Sequence, residues 1–284
     1  MASVVYAQND ELFSRLHGLQ NGKDAFYNVD GMEITTHKAD AEFLPKSIAK
    51  NYKPLKIKAE ELNTSDTALQ FPNYYLAKTV PRTEGLKTIT AYYFFETPSK
   101  KTVAVTFSAI NRSDKEFERM FVQLVRNNEI PSTVFSPFRP DSLNFAGRKI
   151  YLGGGCRWMG INNLQCPHYG QMDWSVHKTR EGAEKAIEHH FAIVSDLNKG
   201  KIVSDNMVPV VFEGTETKAR QIIYDFTGVT SALVAMSGGK TLTIYFVAAA
   251  VRGNYVSCTM SFWNNDQIND SGLAPLLEEV MRLK

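Results

Sequence analysis

The 284 residues of the chain include 32 basic and 30 acidic side chains, and 43% of the residues are hydrophobic. This composition is typical of a folded globular protein and leaves room for two domains of roughly 100–150 residues each. No Lys/Arg run exceeds two residues, and no apolar stretch reaches the roughly 18–20 residues of a membrane span. The sequence therefore predicts neither a nucleic-acid partner nor a membrane span.

Residues 1–20 form an N-terminal segment with two open interpretations. Val5-Tyr6-Ala7 before Gln8 has the small residues found at the end of a secretory signal, but no basic region precedes it. A remnant of a signal peptide would make the protein exported, to the periplasm or the extracellular space. An intact start would make it cytoplasmic.

A first α+β module is predicted over residues 21–130. A helix is expected at 38–51, although Pro45 weakens it or shifts its start. Two strands should follow, KPLKIKA and NYYLAKT. Alternation then predicts a hairpin of residues 88–95 and 102–111, and apolar spacing predicts a helix at 114–127.

A linker is predicted at residues 131–148, where prolines are frequent. The second module, 149–284, should begin with a loop at 153–174. Its expected elements are a helix at 177–197, strands at 201–213 and 219–227, a hairpin of 241–247 and 255–265, and a closing helix at 272–284.

Both modules are thus predicted as helix, antiparallel strands and helix, which indicates a duplicated unit. Each would be an antiparallel sheet covered by helices. This order of elements resembles the PsbP-like α/β/α sandwich, and the second half resembles uncharacterised exported bacterial proteins. The resemblance implies a binding or assembly factor and carries over no functional residue.

The segment 153–174 is the best candidate for a functional site. Aromatic rings offer flat contact area there, and amides offer hydrogen bonds. We expect an unidentified carbohydrate, peptide or protein to bind it. An alternative is that the two tryptophans only cover the core of the second module. The predicted ligand-binding residues are Arg157, Trp158, Asn162, Asn163, Tyr169, Gln171 and Trp174.

A second hypothesis is a cysteine-dependent hydrolase. Cys166 would be the nucleophile, His168 or His177 its base, and Asp173 the residue that orients the base. The spacing matches no cysteine-hydrolase signature. A non-enzymatic binding or assembly protein is therefore the preferred interpretation.

Cofactors and metals are not expected. Ser237-Gly238-Gly239-Lys240-Thr241 has the end of a phosphate-binding loop, but Val234 stands where that motif requires glycine. Gly153-Gly154-Gly155 lacks dinucleotide-binding spacing. Only one close Cys/His pair, Cys166 and His168, is present, whereas structural zinc sites use two.

Cys156 and Cys166 are predicted to form a disulfide if the protein is exported, because oxidising compartments favour pairing of nearby thiols. The alternative is two separately buried thiols. Cys258 lies in the alternating stretch NYVSCTMSF, which predicts a buried strand residue.

Overall fold

A computed structural model of the protein describes residues 10–197, 200–227 and 239–284. The described chain forms two compact units. The larger unit contains, apart from these gaps, residues 10–17, 28–31 and 136–284, and the smaller unit contains residues 18–27 and 32–135. The fold is mixed α+β, as predicted, and consists mostly of sheet. The described strands make sheets of seven, eight and two strands.

The seven-stranded sheet supplies the framework of the smaller unit. Its strands are β1 (His17–Asn21), β2 (Asp24–Val29), β3 (Met32–Ala39), β4 (Asn73–Thr83), β5 (Leu86–Glu96), β6 (Thr102–Ile110) and β7 (Phe135–Ser136). Their spatial order is β4-β5-β6-β3-β2-β1-β7. The predicted hairpin is confirmed, because β5 and β6 pair from Glu96↔Thr102 to Thr88↔Ile110.

Two helices lie between strands of this sheet in the sequence: α2 (Pro45–Asn51) follows β3, and α3 (Lys115–Asn127) follows β6. Pro45 shifts the start of α2, which was one of the two effects expected of it: β3 continues to Ala39, and Pro45 occupies the first turn of the helix. In α3 the side chain of Asp114 accepts a hydrogen bond from the backbone N–H of Phe117 at 3.0 Å. That N-cap begins the helix where predicted.

The stretch KPLKIKA does not form the predicted strand. It contains the 3₁₀ turn Lys53–Leu55 and the start of a second, Ala59–Glu61. Lys56 adopts φ 50°, a left-handed conformation incompatible with an extended strand.

The larger unit contains the other two sheets. Its strands are β8 (Ser142–Phe145), β9 (Arg148–Tyr151), β10 (Arg157–Gly160), β11 (Asn163–Cys166), β12 (Gly170–His177), β13 (Gly200–Phe212), β14 (Thr215–Phe226), β15 (Thr241–Val251), β16 (Asn254–Trp263) and β17 (Met281–Leu283). The eight-stranded sheet has the order β10-β11-β12-β16-β15-β14-β13-β17, and β8 pairs with β9. The segment 131–148, predicted as a linker, contains β7 and β8.

Residues 153–174 are not the predicted loop. They contribute β10, β11 and most of β12, a three-stranded antiparallel meander at one edge of the sheet. β12 continues the pairing to β16, from Gln171↔Ser261 to His177↔Tyr255. The segment is short in β-branched residues, so its strands are specified by pairing and burial rather than by local propensity.

The predicted closing helix at 272–284 is also wrong in extent. Only α5 (Pro275–Glu278) is helical, and Met281–Leu283 then forms β17, which pairs with the end of β13. Val280 and Met281 are 2% and 1% exposed. Their burial at the sheet edge therefore overrides the helical spacing of the sequence.

The sheet of the larger unit has apolar layers on both faces. On its inner face the β8–β9 hairpin and the α5 region bury a core that contains Phe145, Trp174 and Leu277. On its outer face α4 (Arg180–Ser195) packs against β15 and β16, with Phe191 over Phe246. The predicted helix at 177–197 is thus confirmed with shorter bounds.

The predicted N-terminal segment divides at residue 10. Residues 1–9, which hold the possible signal remnant, lie outside the described residues. Residues 10–15 form a helix, α1, and Leu12 and Leu16 are each 5% exposed. This part of the segment therefore belongs to the folded unit.

No helix in the described part of the chain is both long and apolar enough to cross a membrane.

Candidate functional site

Strand alternation divides the predicted ligand-binding residues between the two faces of the sheet. Asn163 and Gln171 point outward, whereas Leu164, Met172 and Trp174 point into the core. Residues that are adjacent in the sequence therefore lie on opposite faces of the sheet.

The outer face carries a group of polar side chains that we call the outer platform. Its members are Arg157, Asn163, Gln165, Gln171 and Asp173. Arg157 is exposed and the other four are half-buried. They lie on β10, β11 and β12, the three strands at one edge of the eight-stranded sheet.

Hydrogen bonds link the platform side chains across the strands. The amide of Gln171 donates to Asn163 Oδ1 at 2.8 Å, and the amide of Asn163 donates to Asp173 Oδ2 at 3.0 Å. Arg157 donates to Gln165 Oε1 at 2.9 Å. The platform is thus ordered by its own hydrogen bonds, which lowers the entropy cost of binding a ligand.

A small cleft of about 40 Å³ adjoins the platform. Platform residues Gln165 and Gln171 share its lining with Ser261, Trp263 and Asp266. His168, which occupies a turn with φ 67°, also lines it. The cleft admits a few water-sized groups beside an aromatic ring.

The inner face holds three of the predicted ligand-binding residues, and for two of them that prediction is wrong. Trp174 and Asn162 are each 1% exposed, so neither can contact a ligand at the surface. Trp174 packs against Phe145 at 5.4 Å between ring centroids. The alternative interpretation, a tryptophan in the core, is correct for Trp174. Trp158 is half-buried, and its indole N–H donates to the backbone carbonyl of Pro137 at 3.0 Å.

His17 is a functional candidate that the sequence did not indicate. It belongs to the larger unit and is 7% exposed, with ring centroids 5.5 Å from Trp158 and 5.9 Å from Trp174. Its Nδ1 bonds Asn162 Oδ1, and its Nε2 lies 2.7 Å from Ser136 Oγ. His17 is more than 100 positions from each of its partners, so no spacing motif could reveal the group.

Burial controls the charge of His17. Removal from water lowers the pKa of its imidazole to about 4, against a smaller opposing contribution from the hydrogen bond with Asn162. The ring is therefore neutral at neutral pH. Since Asn162 Oδ1 can only accept, Nδ1 carries the proton and Nε2 accepts one from Ser136.

Cys156 and Cys166 are joined by a disulfide, with Cα atoms 4.1 Å apart. The bond connects β11 to the residue preceding β10 and closes the loop 156–166, which contains the β10–β11 hairpin. Cys258 is a free thiol that is 1% exposed, and burial raises its pKa well above the ordinary value. A sulfur in a disulfide is not a thiolate, so Cys166 is no nucleophile in this form.

We expect the disulfide to stabilise the larger unit by roughly 2–3 kcal/mol, because it closes a short loop in the unfolded chain. The double substitution Cys156→Ala/Cys166→Ala should lower the urea midpoint of unfolding. Cys258→Ala, which removes the free thiol and keeps the disulfide, is the control. Thiol titration of the unfolded, unreduced protein should give one thiol per chain. Three thiols would contradict the bond.

The other residues of the hydrolase hypothesis are dispersed. Cys166 faces inward, whereas Asp173 belongs to the outer platform. His177, 2% exposed, places its Nε2 2.8 Å from Ser257 Oγ. The cysteine-hydrolase hypothesis remains a prediction for the reduced chain only. Among the described residues no group of three or more Cys, His, Asp or Glu is placed to hold a metal.

A second cleft in the larger unit has a volume of about 330 Å³ and lies between the β8–β9, β13–β14 and β15–β16 hairpins and the end of α5. Its lining includes Arg148, Glu213 and Arg252. The carboxylate of Glu213 is 3% exposed and pairs with both arginines. Arg252 also donates to the carbonyls of Phe145 and Ala146. Arg148, Glu213 and Arg252 thus pair with one another and with backbone carbonyls, and their role is to connect the hairpins.

Comparisons with known proteins add little. No protein-family model matches the chain, and no curated protein matches its sequence. Three solved structures align over most of its length. DynU16, from the dynemicin biosynthetic locus, has 9% identity and a TM-score of 0.19, covering 92% of this chain and 77% of its own. The di-domain ARO/CYC StfQ from the steffimycin pathway has 8% identity and a TM-score of 0.18, covering 93% and 80%.

The third, the di-domain ARO/CYC BexL from the BE-7585A pathway, has 11% identity and a TM-score of 0.15, covering 94% of this chain and 82% of its own. At TM-scores this low, none of the three informs the fold or the function of this protein.

Proposed function

We propose that the protein is an exported binding protein that holds a carbohydrate on the outer platform. The observation that carries the proposal is the hydrogen-bonded row Gln171, Asn163 and Asp173, with Arg157 and Gln165 beside it. Amides and carboxylates both bind hydroxyl groups, and here they are held in place before any ligand arrives.

The aromatic ring in the cleft beside the platform supports a sugar as the ligand. Trp263 supplies an aromatic ring next to Gln165 and Gln171. A pyranose presents an apolar C–H face to such a ring and hydroxyls to the amides around it. The cleft of about 40 Å³ would receive one of these hydroxyls, and the sugar ring would lie above it.

The disulfide supports an exported location, in the periplasm or outside the cell. Disulfides persist in oxidising compartments and are rare in the cytoplasm. Cys156–Cys166 connects two sheet-edge elements that carry platform residues, so oxidation would help to hold the binding surface in shape.

We further infer that the two sheets descend from one duplicated module. The smaller sheet has the order β4-β5-β6-β3-β2-β1, and the larger one contains β14-β15-β16-β12-β11-β10. Equivalent strands occur in the same sequence order, with α2 and α4 after the third strand and α3 and α5 after the last. The resemblance to PsbP-like sandwiches stays a prediction.

The proposed function predicts oligosaccharide binding that depends on Asn163. Asn163→Ala removes two platform hydrogen bonds, each worth about 1 kcal/mol, and should weaken binding roughly 30-fold. Binding would be measured by titration calorimetry with oligosaccharides selected from an immobilised panel. Asn206→Ala, an exposed asparagine on β13 of the same sheet, is the matched control.

Binding of no oligosaccharide would refute the carbohydrate proposal, as would equal affinities of Asn163→Ala and the wild type. If a peptide binds instead, with the same dependence on Asn163, the outer platform is the binding surface but its ligand is not a carbohydrate.

A further inference from the structure

Three side chains from distant parts of the sequence form a linear hydrogen-bonded set. Ser136 Oγ lies 2.7 Å from His17 Nε2, and His17 Nδ1 bonds Asn162 Oδ1. All three belong to the larger unit. His17 packs against Trp158 and Trp174 on the inner face of the eight-stranded sheet. The three residues are therefore separate from the outer platform and do not depend on the proposed carbohydrate site.

The order of the hydrogen bonds sets the direction in which a proton can move. Asn162 Oδ1 accepts from Nδ1–H, which leaves the lone pair of Nε2 for the hydroxyl of Ser136. A hydroxyl, a neutral imidazole and an orienting oxygen in this sequence are the arrangement by which serine is activated as a nucleophile.

The backbone and the side chain of Asn162 are both held in the position that lets its oxygen contact His17. It adopts φ 55°, a left-handed conformation that asparagine tolerates better than most residues. Its backbone carbonyl accepts from Trp174 N–H at 3.1 Å. Its amide Nδ2 is buried without a hydrogen-bond partner, so the side chain is placed at some cost to present its oxygen to His17.

We propose that Ser136 is a nucleophile activated by His17 for acyl transfer from esters with an apolar acyl group. Ser136 is half-buried, so part of its surface is exposed, unlike that of the buried His17 and Asn162. The apolar preference follows from its surroundings. Phe138, two residues away, is 58% exposed, and Met159 beside the half-buried Trp158 is 54% exposed. The indole–Pro137 hydrogen bond joins these two segments.

A second Ser–His pair shows why access matters. Ser257 Oγ lies 2.8 Å from His177 Nε2, but Ser257 and His177 are 3% and 2% exposed. No ester can reach that hydroxyl while the protein is folded. Ser257 is therefore an internal control: its hydroxyl contacts an imidazole, but an ester cannot reach it.

The reaction balances without a metal or a redox partner. Ser136 Oγ attacks the acyl carbon while its proton passes to His17 Nε2. The bond from the acyl carbon to the leaving alcohol breaks, and the imidazolium returns the proton to that alcohol. Water then attacks the acyl-serine by the same route, releasing the carboxylic acid and regenerating Ser136.

The test is covalent labelling of the folded, full-length protein with an alkyl fluorophosphonate, followed by peptide mass spectrometry. One label on Ser136 and none on Ser257 is expected, together with hydrolysis of p-nitrophenyl hexanoate that Ser136→Ala abolishes. His17→Gln should slow labelling at least ~10²-fold, the ordinary contribution of a general base. No label on Ser136, or an undiminished rate in His17→Gln, would overturn the proposal.

Asn162→Asp separates activation from a structural role, and it decides the matter if His17→Gln does not fold. Aspartate tolerates the same left-handed backbone, and its carboxylate would stabilise the imidazolium that forms on proton transfer. Labelling of Ser136 should become about tenfold faster or more. A folded Asn162→Asp protein with an unchanged or slower rate would contradict a positioning role for Asn162 and the proton path through His17.

Discussion

Replacing Trp174 with alanine is expected to lower the free energy of unfolding of the larger unit by roughly 3–5 kcal/mol. The indole is 1% exposed and packs against Phe145, Trp158 and His17 at ring-centroid distances of 5.4, 6.0 and 5.9 Å. Its removal would leave a cavity that β-sheet neighbours cannot close. Urea unfolding followed by far-UV circular dichroism measures the change.

Tyr169→Ala is the control for this substitution. Tyr169 lies in the turn between β11 and β12 and is 38% exposed, so its truncation should cost about 1 kcal/mol or less. A similar, small loss for both variants would show that Trp174 lies at the surface, as a ligand-binding residue would. Only a large difference between them agrees with the core position.

Acidification from pH 6.5 to pH 4 is expected to destabilise the larger unit by about 3 kcal/mol through His17 alone. Burial lowers the pKa of its imidazole from 6.5 to about 4 in the folded state. Between these values the unfolded chain binds the proton and the folded protein does not, so each step toward acid favours unfolding. Above pH 6.5 this contribution is complete and stability no longer depends on His17.

The measurement compares urea midpoints of the wild type and His17→Gln across this range. Other groups titrate there too, and the difference between the two proteins isolates the contribution of His17. The free energy of the wild type should fall about 3 kcal/mol further than that of the variant. Parallel curves would mean that His17 is solvated in the folded protein.

Elements with strong local signals were predictable from the sequence. The β5–β6 and β15–β16 hairpins alternate clearly, and α3 combines a helical apolar stripe with the N-cap Asp114. The failures occurred where partners outweighed local preference. Met281–Leu283 is a strand because β13 pairs with it, and 153–174 forms strands because β16 extends the sheet to β12.

The sequence singled out the segment 153–174 but not the arrangement of its side chains. The sequence pointed to 153–174, and the outer platform lies there, as do Trp158 and Asn162 of the inner face. It placed Trp174 among the surface residues because composition does not tell which of two alternating faces is buried. That depends on register, and a shift of one residue exchanges the faces.

By itself, the amino-acid sequence determined the α+β class, most of the long strands and the segment that carries the candidate site. These depend on periodicity and on neighbours within a few residues. Only the tertiary structure decided that Ser136, His17 and Asn162 meet, and that the tryptophans and the platform face opposite ways. Contacts between residues more than 100 positions apart have no local signature, because chain folding alone brings them together.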